Sequence, residues 1–335
     1  MRPMPFLLLP AVALVAQAPA PTDLTQRFNT ELPAVNKLLK ELKPQEAMAK
    51  VEGLIPATRP AFNGANLQTI AQSLDNAQGL LSLYRLWANA ASESGQWEKT
   101  LDIQQKRLKA AQDIKADLEK AQAPIAAQWD QAAKDSQDYV AKNTDRQQEL
   151  QTLLKDLQDE VAAVNAKTKK LDPKGREDLR TRTAKAQEQQ SELDQINAAL
   201  PVHKQNLLNA PKVAKILADN RKEAEGMVKA AEASVAKAKE TLASQNDEIT
   251  AFNTKLVMQK VKIVGKKNWV DAVLRNHDNV TKLAGAQAQA SFLNRLLVLD
   301  PGNAGATKAL ENLKQDKEPF AKEAKPAKKA GARKK

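Results

Sequence analysis

Side chains able to do chemistry are scarce in this sequence and poorly placed for it. Its two histidines, His203 and His277, stand in separate segments, and neither lies within an HExxH run or at the carboxylate spacing that metal ligation needs. No GxSxG elbow is present, and without cysteine a thiol nucleophile or thiolate metal site cannot be built. The stretch KVKIVGKKN ends like a phosphate-binding loop, but Lys260 occupies the place of the first glycine and no Ser or Thr follows Lys266. Carboxylate pairs such as Asp159 and Glu160 are interleaved with lysines, as on a solvated helix face. The expectation is a protein that is not an enzyme, with no catalytic residue, no metal site and no cofactor.

The elements that would carry such residues are helices. Aromatics make up 4% of the 335 residues and glycine only 11 of them, while Ala, Leu, Lys, Gln, Glu and Asp dominate. Tyr84, Trp87, Trp97, Trp129 and Tyr139 precede position 140, Phe252, Trp269 and Phe292 follow position 251, and nothing aromatic lies between. A stretch of that length without Phe, Trp or Tyr fills the thin seam between two helices more readily than a globular core.

Within it, Leu150, Leu154, Leu157, Val161, Val164 and Leu171 alternate steps of four and three, with Thr168 in the missing place. That is a heptad stripe. The run LDPKGRED then brings Pro173 and Gly175, and the spacing resumes at Leu179, Arg182, Ala186, Gln189, Leu193, Ile196 and Leu200. If the chain reverses at 172–176, Leu171 meets Leu179, Val164 meets Ala186, Leu157 meets Leu193, Leu154 meets Ile196 and Leu150 meets Leu200, each pair adding to 350. The pattern predicts an antiparallel coiled-coil arm over 97–260, with joints at Pro124, Pro201 and Pro211.

Outside the arm, residues 21–96 and 261–316 read as shorter helices. The segment LYRLWANAASESGQWEKTLDIQQKRLKAA, reaching about residue 111, carries Tyr84, Gly95, Leu101 and Leu108. The segment ASFLNRLLVLDPGNAGATKALENL carries Leu297, Leu299, Asp300, Pro301, Ala306 and Leu310. Both resemble the tetratricopeptide helix-turn-helix, departing from it at Thr100, Gln104 and Leu296. The resemblance implies a tetratricopeptide-like head, formed by both ends of the chain, that binds protein or peptide on a helical surface without catalysis. The fold class expected is therefore all-α.

The two termini give an address. MRPMPFLLLPAVALVAQAPAP has one cation at Arg2, an apolar run from Phe6 to Ala16 and then small residues and prolines, the layout of a secretory signal peptide over 1–20, with cleavage after Ala16 favoured. The run is shorter than the roughly 18 apolar residues a retained span needs, so the mature chain is expected in the periplasm or outside the cell. At the other end, 317–335 holds eight Lys or Arg against two Glu, a net of +6 out of the chain's +12. Such a composition favours disorder. Lys325, Lys328, Lys329, Arg333, Lys334 and Lys335 resemble the cations of linker-histone tails, yet export makes anionic lipid or an envelope polymer the expected contact and nucleic acid an unexpected one.

These readings converge on a non-enzymatic exported scaffold or adaptor of the cell envelope, binding protein partners and able to self-associate through its arm. A holdase is the alternative, since a basic exported helical hairpin resembles in outline the Skp class of outer-membrane-protein chaperones, without that class's sheet domain. Nucleic-acid binding through the tail is the second alternative, and it requires the N-terminus not to be a signal peptide.

Overall fold

The computed structural model describes residues 23–167, 169–261 and 265–321. The signal peptide expected over 1–20, the layer at Thr168 and the tail cations Lys325, Lys328, Lys329, Arg333, Lys334 and Lys335 lie outside the described residues. Every regular element among the described residues is a helix. In order they are α1 (Asp23–Lys40), α2 (Pro44–Glu52), α3 (Leu67–Glu93), α4 (Trp97–Asn165), α5 (Pro173–Met258), α6 (Gly265–Arg275), α7 (Asp278–Thr281), α8 (Gly285–Leu299) and α9 (Ala304–Lys314).

The chain divides into two compact units. The first combines residues 1–117 with 224–335, and the second comprises 118–223. In the first unit, α3 begins at a reciprocal cap: Thr69 N donates to Asn66 Oδ1 at 2.9 Å, and Asn66 N donates to Thr69 Oγ1 at 3.0 Å, satisfying two donors that the first turn leaves open. α1 and α2 pack on α3, filling a core with Val35, Ala47, Val51, Leu86, Trp87 and Ile103. Gly79 permits the closeness of α1, because a Cβ there would lie 2.6 Å from Thr25 N. A second core gathers Ile249, Trp269, Val270, Leu293, Leu296 and Leu310 from α5, α6, α8 and α9. α3 also touches α8, so the two ends of the chain are joined within this unit.

The first residues of the stretch expected to be disordered, 317–321, are instead packed. Pro319 is buried, its carbonyl accepts from Asn312 Nδ2 at 2.9 Å, and the Phe320 ring stacks on His277 with centroids 3.9 Å apart. Residues 317–321 thus belong to the packed unit, held by the one aromatic side chain in an otherwise charged stretch.

In the second unit α4 and α5 run side by side in opposite directions. Leu150, Leu154, Leu193, Ile196 and Leu200 form one buried cluster with Tyr139, Val140 and Ala186 against it. Pro124, Pro201 and Pro211 lie inside these helices and do not end them. All three are exposed, so the carbonyls freed at Lys120, Asn197 and Leu207, one turn earlier, sit on a face that water reaches.

The reversal differs from the sequence expectation in place and in register. α4 ends at Asn165 and α5 opens on Pro173, so the connection is 166–172 and not 172–176. Proline is favoured at the first helical position, where its missing N–H would have no partner anyway. Asp172 caps the new helix, its Oδ1 accepting from Gly175 N at 2.7 Å. The earlier turn shifts the pairing. Glu160 with Arg182, Arg146 with Glu192, Gln147 with Asn197, Ser136 with His203 and Gln122 with Arg221 are joined across the helices, and their numbers add to between 338 and 344. Pairs adding to 350, such as Leu157 with Leu193, are then offset along the axis by about 12 Å at 1.5 Å per residue. The displacement is close to one heptad, which returns the same apolar residues to the seam and leaves the stripe uninformative about it.

Cysteines provide the test. Gln147→Cys with Asn197→Cys should join faster under mild oxidation than Leu157→Cys with Leu193→Cys, as read by gel mobility; the reverse order would restore the expected register.

Candidate functional site

A sizeable concavity runs along the second unit. It is an open groove of about 740 Å³ between residues 145–157 of α4 and 182–189 of α5. Asp145, Glu149 and Asp156 line the α4 side, Arg182 and Lys185 the α5 side, and Leu153 and Leu157 the floor. The heptad explains this layout. Leu150, Leu154 and Leu157 face the partner helix and are buried, while Leu153, one position out of the stripe, remains 44% exposed. The result is an apolar strip between an acidic edge and a basic edge. At the turn end Glu160 accepts from both Lys169 and Arg182. Those bonds, Lys169 foremost, hold its carboxyl below the usual carboxylate range.

The expected seam residues fall into two groups. Leu150, Leu154, Leu157, Leu193, Ile196 and Leu200 are buried, with Ala186 packed beside them. Val161, Val164, Leu171 and Leu179, near the turn, are half-buried, since the chain leaves the helix at Asn165 before the stripe is completed. Of the residues expected in the head, Ala306 and Leu310 are buried, Tyr84, Leu101, Leu108, Leu297, Leu299 and Asp300 are half-buried and Pro301 is exposed. Asn303 Nδ2 donates to Asp300 Oδ2 at 2.9 Å, fixing the turn between α8 and α9.

Gly95 lies in the left-handed region at φ +76° and touches a residue the sequence reading overlooked. Arg295 on α8 is 0% exposed. Its Nε donates to Gln245 Oε1 at 2.6 Å, its Nη1 to Gly95 O at 3.1 Å, and Nη1 and Nη2 to the Glu98 carboxylate at 2.8 and 3.1 Å. The guanidinium also lies 4.8 Å from the Trp97 ring centroid. A fork of fixed donors suits a carboxylate and a carbonyl together, which an ammonium would not. The Arg295 hydrogen bond lowers the Glu98 carboxyl from its ordinary value, and burial raises that of neighbouring Glu93. The sequence signal for the clamp is a single cation inside the apolar run SFLNRLLVL.

His203 is drawn against α4. Its Nδ1 lies 3.0 Å from Ser136 Oγ, its ring stacks on Tyr139 with centroids 4.1 Å apart, and Asn206 Nδ2 reaches the same hydroxyl at 3.4 Å. Serine beside histidine is the beginning of a nucleophile pair, but Ser136 is 1% exposed and no substrate carbonyl could approach it. The group instead forms a polar layer in the helix seam. Burial lowers the His203 pKa, against a weaker opposing pull from Asp135.

A histidine depressed in the folded state contributes stability that is whole above the ordinary value of about 6.5. That contribution is lost as pH falls from there through the lowered folded value, because the unfolded chain takes up the proton more readily. Thermal unfolding of the second unit should therefore move to lower temperature between pH 7.5 and 5, and His203→Gln should flatten that dependence. An unchanged slope in the variant would assign the pH effect elsewhere.

Among the described residues no group of three or more His, Cys, Asp or Glu is placed to hold a metal ion, and no helix is long and apolar enough to cross a membrane. The chain matches no family model, no curated protein and no solved structure.

Proposed function

We propose that this protein is a non-enzymatic scaffold of the cell envelope. It is exported with loss of its signal peptide, and its tetratricopeptide-like head, made from both ends of the chain, carries an inserted antiparallel coiled-coil hairpin. The hairpin groove receives a segment of a protein partner. The observation that supports this most is the groove itself: an open apolar strip bounded by carboxylates on one side and cations on the other. Two paired helices have no interior beyond their seam. Recognition must use their surface, where an amphipathic helix or extended peptide can lay apolar residues on Leu153 and set opposite charges against each edge. The basic tail adds weak attachment to an anionic lipid or envelope polymer.

Crosslinking in intact cells, with a photoreactive residue at Leu153 and another at the exposed face of Gln190, tests the reading. Envelope proteins captured from position 153 and absent from 190 support it; equal background from both positions removes it.

The openness of the groove also favours a holdase, because no enclosed pocket restricts the client. Suppression of aggregation of an unfolded β-barrel protein at stoichiometric ratio, lost in Leu153→Asp, would select that reading over the scaffold.

A further inference from the structure

The end of α5 carries an apolar knob inside a field of lysines. Seven large apolar side chains are recorded as exposed among the described residues, and three of them, Val257, Met258 and Val261, fall within five positions. Met258 is 79% exposed, Val257 56% and Val261 44%. Between Glu248 and Asp271 the sequence holds Lys255, Lys260, Lys262, Lys266 and Lys267 and no Asp or Glu.

The helix ending presents these residues together. Lys260 N donates to Val257 O and Val261 N to Leu256 O, both at 2.9 Å, a closed C-terminal turn whose left-handed position is Lys260 at φ +54°. Glycine usually fills that position; here the backbone accepts strain and a cation stands at the tip. Lysines near a helix C-terminus are explained in part by the negative end of its dipole. That explanation does not extend to Val257, Met258 and Val261, which gain nothing from facing water.

We infer that Val257, Met258 and Val261, with Lys255 and Lys260 in the same stretch and Lys267 six positions further along the sequence, form a docking knob for an anionic phospholipid surface. Apolar side chains entering the headgroup boundary beneath a ring of cations are how interfacial segments bind. The cations here are all lysines, compact point charges without the planar fork that selects a fixed carboxylate, so they suit mobile headgroups. An exposed helix end with no aromatic anchor fits a deformable surface better than a preformed protein pocket. Lys266 is set aside because it lies close enough to Glu98 to act on that carboxyl. The inference is independent of the groove and of the tail.

The absence of cysteine makes the test local. The full chain bearing Met258→Cys is labelled with an environment-sensitive fluorophore, and Leu153→Cys serves as the control. Vesicles of phosphatidylglycerol and phosphatidylcholine at 3:7 should raise emission severalfold at position 258 and leave position 153 unchanged, and phosphatidylcholine alone should change neither. Replacing Lys255, Lys260 and Lys267 with Gln should weaken the response by roughly fivefold per lysine, with helicity unchanged by circular dichroism. Replacing Lys325, Lys328 and Lys329 with Gln should leave the position-258 response in place. The proposal is overturned by a silent label at 258, by an equal response to neutral vesicles, by loss of the response in the tail variant, or by a concentration-dependent rise without vesicles, which would identify a second copy as the occupant.

Discussion

Gly95→Ala should destabilise the first unit by about 3 kcal/mol or more, from the left-handed backbone and a steric conflict acting together. At φ +76° the residue occupies a region that an L side chain enters only under strain. The added Cβ would also lie 2.4 Å from Arg295 N, 2.5 Å from Arg295 Cα and 2.6 Å from Asn294 C. Those are backbone atoms of α8, which cannot rotate away as a side chain would. The helix would have to retreat, taking Arg295 from the Gly95 carbonyl it donates to.

Gly226→Ala is the control. A Cβ there meets nothing within 4 Å and the residue is inside α5, so the same change should stabilise by about 0.5–1 kcal/mol. Urea unfolding followed by the fluorescence of Trp97 and Trp269 reads both. A neutral Gly95→Ala would mean that α8 does not rest on the α3–α4 turn.

Gly95 also shows where the sequence was readable. Glycine between two helical stripes marks a turn whatever the tertiary structure, and the run from Tyr84 to Leu108 gave the two helices around it. Periodicity puts Leu150, Leu154, Leu157, Leu193, Ile196 and Leu200 on one face for the same reason, and these six are buried. It could not set the register. A shift of one heptad exchanges one apolar pair for another, and the choice is made by caps and ion pairs at the turn, Asp172 with Gly175 and Glu160 with Arg182. Pro173 suits the end of one helix as well as the start of the next, two roles that differ only in which side of the residue the helix lies, and here it opens α5. The polar layer at Ser136 and His203 and the clamp at Arg295 depend on partners 67 and about 200 residues away, a distance at which pattern carries no information.

Arg295→Met should cost about 2–5 kcal/mol, because it leaves two buried acceptors, Gln245 Oε1 and the Gly95 carbonyl, without their donor. Volume is nearly conserved, so the loss is polar. Gln245, 5% exposed, keeps an acceptor with nothing to bond, and the Gly95 carbonyl loses its donor. Arg295→Lys should recover only part, since a single ammonium cannot serve Gln245, Gly95 and both Glu98 oxygens from one position. Glu98→Gln should cost about 1 kcal/mol, because that carboxylate is half exposed and water replaces the arginine readily.

The order Met, Lys, then Glu98→Gln separates a clamp from a surface ion pair, for which Arg295→Met and Glu98→Gln would be equal. A double variant, Arg295→Met with Gln245→Leu, removes the orphaned acceptor and should regain a substantial fraction of the lost stability. Full recovery, with hydrogen exchange at α8 unchanged, would make the guanidinium dispensable for holding the chain ends together. Partial recovery, with faster exchange across 92–98 and 285–299, would show that the fork sets which surfaces of the two segments meet, a role that apolar side chains of the same size do not perform.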